Sequence, residues 1–325
     1  MDKKEKEDSN DQSSDQPDQP RQPTNLQGLL KFAMEATKAE DAPGSSTIEP
    51  MDPERKKFLE EALKGLSVDI VQELINSLQT LSNSESSESD QLDSLENINH
   101  YILNIDQANN FHKIGGFSVL KPCLKSQYGS VRAETASLIA ELSKNNPYCQ
   151  EQLLKSEMLQ ELTPLLSEPE PICTQAMSAI SALVTNFTPG MENLFASGEI
   201  NKIVAVLDSR KEDKLTTKIV FFLSAIPNCH PEFVDKFLDI GIMKYLAELI
   251  VPFAFDEGSH LRTNKLERTL MAAVSFCEHN RAVDDLRIHS KDLREKLTEI
   301  AKVAQSDEAY LEIRECAEEL LKILK

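Results

Sequence analysis

Apolar residues recur at helical spacing through most of the chain, and the same apolar phrase returns several times. It opens at Phe117, Leu159, Ile200 and Ile242 and closes at Leu124, Leu166, Leu207 and Leu249. Asn104, Asn145, Asn186 and Asn228 keep the same rhythm at steps of 41, 41 and 42 residues, and Pro147, Pro189 and Pro231 stand 42 apart. A period of about 40 to 47 residues built only from helical patterns marks a solenoid of armadillo or HEAT type. The number of helices per period separates the two. In the second unit, residues 147–155 read as a short helix, 157–166 as a second and 171–184 as a longer third, with Pro169 and Pro171 enforcing the break. Three helices per unit favour armadillo. The fold is therefore expected to be all-α, an armadillo-repeat solenoid of four three-helix repeats with flanking capping helices. The periodic prolines fit it, since each falls at the start of a short helix, where the missing N–H is no loss and the fixed φ helps.

Residues 1–25 are polar, charged and proline-rich, and bury too little apolar surface to offset their ordering entropy, which predicts a disordered tail. Residues 26–50 read as a flexible segment around a short amphipathic motif, "LQGLLKFAMEATKA". Residues 51–91 are expected to hold two helices and an acidic linker. Asp52 caps the first helix, Pro53 opens it and Gly65 stops it, while the second runs from Ser67 towards Leu81. "SNSESSESDQ", Ser82 to Gln91, reads as a flexible connector whose serines could accept phosphate. The repeats occupy residues 92–280. In the fourth, "VPFAFDEGSHLRTN" lengthens the connector, and the third helix is expected from Lys265 to Cys277. Residues 281–325 read as capping helices; Ser306 caps the last, and charged outer faces suit the end of a solenoid.

Charge then narrows the partners. With 35 Lys plus Arg against 54 Asp plus Glu, the net charge is −19, and no cationic excess exists to displace counterions from a phosphate backbone. Nucleic acid is excluded as a partner on that ground. No apolar run follows the opening "MDKKEKEDSNDQ", and the longest mostly apolar stretch, residues 240–255, is short and carries Lys244 and Glu248. A cytoplasmic or nuclear protein without a membrane partner is expected, and the sequon at Asn186 then has no use. The six cysteines form no C-x-x-C pair and read as reduced, mostly buried thiols. No nucleophile elbow, zinc motif or phosphate loop occurs, and the six histidines are not at ligand spacing. His230 is expected to cap a helix or face solvent. Gly115 and Gly116 recur as Gly198 and Gly241, which marks an inter-helix turn rather than a phosphate cradle. No catalytic, cofactor-binding or metal-binding residue is expected.

"LQGLLKFA", "MDPERKKFLEEAL", "NIDQANNFHKIGGFSVL", "VRAETASLIAELSKNN" with "QEQLL", and "NCHPEFVDKFLDIGIMKYL" follow one another in this order. Together they resemble the armadillo-type nucleotide exchange factors of the seventy-kilodalton heat-shock chaperones, nearest to the cytosolic branch, from about Leu26 to Lys325. The resemblance implies a co-chaperone that clasps one lobe of the chaperone's nucleotide-binding domain and displaces the other, so that ADP leaves, ATP enters and the client is released. It also implies that Leu26, Leu29, Leu30 and Phe32 form a client mimic for the chaperone. The bland alternative packs Leu26, Leu29, Leu30 and Ala33 on the protein's own first repeat.

The remaining alternative is an armadillo adaptor that scaffolds extended peptides. Such proteins place an Asn late in each third helix, where a ladder of amides holds the peptide backbone. The equivalent positions here are Glu141, Ala182 and Ala225, so the ladder is missing and a folded partner is favoured. Arg132, Glu134, Gln175, Lys218 and Arg268 should point away from the core on successive third helices. Arg132 and Lys218 also fall where the family carries basic residues, which makes them the best contact candidates, though each could equally be a solvated charge.

Overall fold

A computed structural model of the chain describes residues 69–209, 214–254, 260–288, 290–304 and 308–325, together with the single helical positions Pro53 and Lys57. The rest of the helix expected after Asp52, the lone amphipathic motif and the Ser306 cap lie outside the described residues. Helix α1 (Ile70–Ser82) is capped by Asp69, whose side chain accepts from the Gln72 N–H. Helix α2 (Glu88–Ile102) opens with a capping box in which Ser87 and Asp90 each accept the other's backbone N–H. This corrects the expected connector: residues 88–91 are the first turn of α2, because the serines and carboxylates that look like linker composition are what a helix start requires.

Four three-helix units follow. The first has α3 (Ile105–Lys113), α4 (Leu120–Leu124) and α5 (Gly129–Ser143). The second has α6 (Pro147–Lys155), α7 (Met158–Leu162), continued by a 3-10 turn over Thr163–Ser167, and α8 (Ile172–Val184). The third has α9 (Thr188–Ala196), α10 (Glu199–Ser209) and α11 (Lys214–Cys229). The fourth has α12 (Val234–Asp239), α13 (Ile242–Ile250) and α14 (His260–Phe276). The flanking helices α15 (Asn280–Ile288), α16 (Ser290–Val303) and α17 (Leu311–Ile323) end the chain. Among the described residues there is no strand, and no helix is long and apolar enough to cross a membrane. Helix α14 starts at His260, earlier than the expected Lys265. Its first turn carries His260, Leu261, Arg262 and Asn264, of which all four are exposed, so no apolar periodicity announces it.

The periodic residues have conformational reasons. Asn145 and Asn186, just past the ends of α5 and α8, adopt φ of 52° and 58°, the left-handed state that Asn tolerates better than most side chains. Pro147 opens α6, Pro189 stands in the first turn of α9, and Pro231 opens the 3-10 turn that leads into α12. Between the first and second helices of the four units, Gly115, Glu157, Gly198 and Gly241 all have positive φ, from 56° to 88°. Three of the four are glycine because a Cβ is strained there. One apolar core runs from Leu74 in α1 to Leu324 after α17, and the helices α2, α5, α8, α11, α14 and α17 each pack on the next.

Side chains tie unit to unit. Within the second unit Gln150 Nε2 donates to the Ala182 carbonyl at 2.8 Å, and from beyond α11 His230 Nε2 donates to the Val184 carbonyl at 3.0 Å, so the end of α8 is held from its own unit and from further along the solenoid. His230 stands at the N-cap position of the 3-10 turn, as its place before Pro231 suggests, but its side chain makes no capping bond and is a buried tie rather than a surface group. Lys125 Nζ meets Glu161 at 2.7 Å, and Arg281 bridges Asp235 and Asp239. Cys123, Cys149, Cys173 and Cys277 are buried, and desolvation pushes the Cys149 and Cys277 thiols up to about 12, where they are inert at neutral pH.

Candidate partner-binding face

The third helices are buried on most of their circumference. Each leaves a narrow stripe: Glu134, Ser137 and Glu141 on α5; Gln175, Ser178 and Ala182 on α8; Lys218, Phe221 and Ala225 on α11; Arg268, Met271 and Ser275 on α14. These sit three or four residues apart, one helical turn, so they align along a face. Glu134, Gln175, Lys218 and Arg268 form one row of it, all half-buried. In two cases the cation reaches back to the preceding helix. Lys218 Nζ donates to Ser178 Oγ on α8, and the Arg268 guanidinium lies 5.4 Å from the centre of the Phe221 ring on α11.

Arg132 does not belong to this row. Its Nη1 donates to the Ser126 carbonyl at 2.7 Å and its Nη2 meets Glu168 Oε2 at 3.0 Å, leaving the side chain 17% exposed. The residue expected to be a free contact is a strut between the loop before α5 and the loop before α8. Sequence spacing puts its Cα on a third helix but says nothing about the carboxylate that arrives from the next unit.

Phe221 is what the sequence reading missed. It is 55% exposed, whereas Phe222 beside it is buried. The signal was present, since two consecutive residues of a helix point about 100° apart and only one can face the core. Its neighbours on the same stripe are Lys218 and Ala225. Beside it lies a groove of about 510 Å³ between α5, α8 and α11, lined among others by Ala140, Glu141, Met177, Ala182, Lys218 and Phe221. Burial holds the Lys218 ammonium below the usual lysine range. Among the described residues no carboxylate lies within ion-pair distance of it, whereas Lys144 at the groove rim meets Glu141 at 3.8 Å and Arg268 meets Glu267 at 3.6 Å. Among the described residues no cluster of His, Cys, Asp and Glu can hold a metal ion. Chemically the face can dock another surface.

The stacked three-helix units define an armadillo solenoid. Two solved designed armadillo repeat proteins, one of them in complex with the peptide (KR)4, superpose with TM-scores of 0.60 and 0.62 at 18% and 16% identity, over 79% of this chain and 100% of theirs, which speaks for the fold alone. In sequence, the chain matches the family described as SIL1/FES1/HPBP1 C-terminal domain over residues 107–325, and the one described as nucleotide exchange factor Fes1 over residues 26–111. The chain belongs to the SIL1/FES1/HPBP1 family. Hsp70-binding protein 1 from Rattus norvegicus and that from Homo sapiens are each 26% identical over 314 residues, 92% of this chain and 85% and 84% of theirs. Hsp70 nucleotide exchange factor FES1 from Gibberella zeae is 30% identical over 180 residues, 53% of this chain and 81% of its own length. Leu26, Leu29, Leu30 and Phe32 lie outside the described residues but inside the first matched range.

Proposed function

We propose that this protein is a nucleotide exchange factor, a co-chaperone that binds the nucleotide-binding domain of a seventy-kilodalton heat-shock chaperone and speeds release of ADP and then of the client. The observation that carries the reading is the match of the two family descriptions, which between them span residues 26–325. The third-helix face supports it. Glu141 and Ala182 line its groove where a peptide-binding solenoid would present amides, so an extended backbone would find no row of partners, while a folded surface could seat itself there. The adaptor reading lacks that row.

No group on this chain has to reach the nucleotide. If the solenoid binds the opened nucleotide-binding domain more tightly than the closed, ADP-holding one, thermodynamic reciprocity requires that it weaken ADP binding by the same factor. The deciding measurement is release of labelled ADP from a purified chaperone with and without this protein. An unchanged release rate would remove the reading.

Exchange alone leaves a client free to rebind. The motif of residues 26–32 offers Leu26, Leu29, Leu30 and Phe32 beside Lys31, an apolar stretch with a cation, which a chaperone's client site favours. Tethered to a bound solenoid, it competes at an effective concentration of about a millimolar. Replacing Leu29 and Leu30 by Ser is expected to leave ADP release intact and to slow clearance of a tightly held peptide. If instead the thermal midpoint drops and peptide clearance still keeps pace with ADP release, the motif is structural.

A further inference from the structure

We infer that the groove between α5, α8 and α11 is a two-part receptor for an aliphatic side chain flanked by a carboxylate on the folded partner, Phe221 taking the aliphatic group and Lys218 the carboxylate. The inference rests on the reading of the protein as an exchange factor and names the chemistry of the chaperone surface that its third-helix face accepts.

Three observations converge on it. First, Phe221 interrupts a row of serines, Ser137 and Ser178 holding the corresponding places on α5 and α8, and it is the large apolar side chain left 55% exposed on that face of α11. The Arg268 guanidinium stacked 5.4 Å from its ring restricts the side chain before any partner arrives, so little ordering entropy is lost on binding. An aromatic ring backed by arginine at the rim of a groove has the make-up of an interface hot spot. Second, the groove of about 510 Å³ beside the ring has Met177, Ala140 and Ala182 in its wall, apolar surface on which an aliphatic side chain can rest. Third, Lys218 carries a charge that is partly desolvated, donates to the Ser178 hydroxyl and has no carboxylate within ion-pair distance among the described residues. The chain as a whole has 19 more acidic than basic residues, so carboxylates are plentiful, yet none is spent here. A half-buried ammonium beside an apolar groove is complementary to an acidic residue brought in by a partner, because the pair would be desolvated together.

A free nucleotide phosphate could use the same cation, but the groove's other ammonium, Lys144, already meets Glu141, and that carboxylate also lines the groove. The experiment separates the two sources. Labelled ADP release from a purified chaperone is followed against the concentration of full-length protein for wild type, Phe221→Ala, Lys218→Met and Lys218→Arg, at low and high salt, with thermal midpoints as the check on folding. Phe221→Ala is expected to raise the half-maximal concentration about thirtyfold with an unchanged midpoint. Lys218→Met is expected to raise it about tenfold and to flatten the salt dependence, and Lys218→Arg to keep that dependence. Wild-type behaviour of both Phe221→Ala and Lys218→Met, with wild-type protein active, would overturn the inference and leave the function standing. A rise in the midpoint of the isolated protein on adding ADP, lost in Lys218→Met, would also overturn it in favour of a phosphate site. A wild-type protein that leaves ADP release unchanged would overturn the function and the inference together.

Discussion

Arg132 on α5 and Lys218 on α11 look alike in sequence: each is a cation inside a third helix, within a few residues of its start. The structure gives them opposite situations. Arg132 is 17% exposed, held by the Ser126 carbonyl and Glu168, and joins one unit to the next. Lys218 is half-buried on the groove wall, where it donates to the Ser178 hydroxyl and has no carboxylate within ion-pair distance among the described residues. The contrast extends to their regions. Along the seams between units, cations meet carboxylates of the neighbouring unit, as Lys121 and Lys125 meet Glu161 and Lys214 meets Glu170. On the third-helix face near α11, the charge is left for something else. A cation whose carboxylate comes from the same fold is a strut, and one held only by a hydroxyl is where the proposed contact is placed.

The sharpest way to break this comparison is to delete both cations and ask what each loss affects. Arg132→Ala removes two charge-assisted hydrogen bonds from a largely buried position and is expected to lower stability by about 2 kcal/mol. Its urea midpoint should fall while chaperone binding by the folded fraction stays at the wild-type level. Lys218→Met, by contrast, removes a partly desolvated ammonium and keeps the aliphatic stem, so its stability is expected to stay within about 0.5 kcal/mol of wild type while its affinity falls. If Arg132→Ala weakened binding with an unchanged midpoint, the assignment of strut and contact would be reversed.

Much of this architecture was legible in the sequence, and the reasons are physical. The repeat was readable because the bends recur with residues that only a few side chains can replace: Asn145 and Asn186 in the left-handed state, glycine in three of the four inter-helix turns, and proline at the starts of the short helices. Helix α6 has the bounds its residues announce, since Pro147 and the turn after Lys155 leave little freedom. What was not readable depended on partners brought together from distant units. Arg132 finds Glu168 in the next unit, His230 finds the Val184 carbonyl, and nothing local in either stretch of chain names that partner. The exposed ring lay between these cases. The pair Phe221–Phe222 states that one ring must leave the core, but only the stacking on Arg268 and the groove beside it say what the ring is for.

A smaller effect sharpens the comparison by pH, because two glutamates differ in how far their cations offset burial: Glu161 has Lys121 and Lys125, whereas Glu267 has Arg268 at 3.6 Å but also faces Glu312. Hydrogen bonding to Lys125, helped by the charge of Lys121, holds the Glu161 carboxyl below its ordinary 4.5. Burial, with the carboxylate of Glu312 adding to it, holds that of Glu267 above 4.5. The signs follow from linkage. A depressed carboxyl contributes stability that is present above 4.5 and is lost as pH falls through its folded value. A raised carboxyl instead carries a penalty at neutral pH that vanishes as pH falls towards 4.5. Glu161→Gln is therefore expected to be less stable than wild type at neutral pH, by about 0.5 kcal/mol as for other partly exposed pairs, with the difference closing in acid. Glu267→Gln is expected to be slightly more stable than wild type at neutral pH, with that advantage also closing in acid. Urea midpoints measured from neutral pH down to about 2.5 give both difference curves on one scale, Glu267 closing above 4.5 and Glu161 below it. Curves of the same sign would mean that the contact with Arg268 outweighs burial and the Glu312 charge at Glu267, and the contrast between the two glutamates would fall.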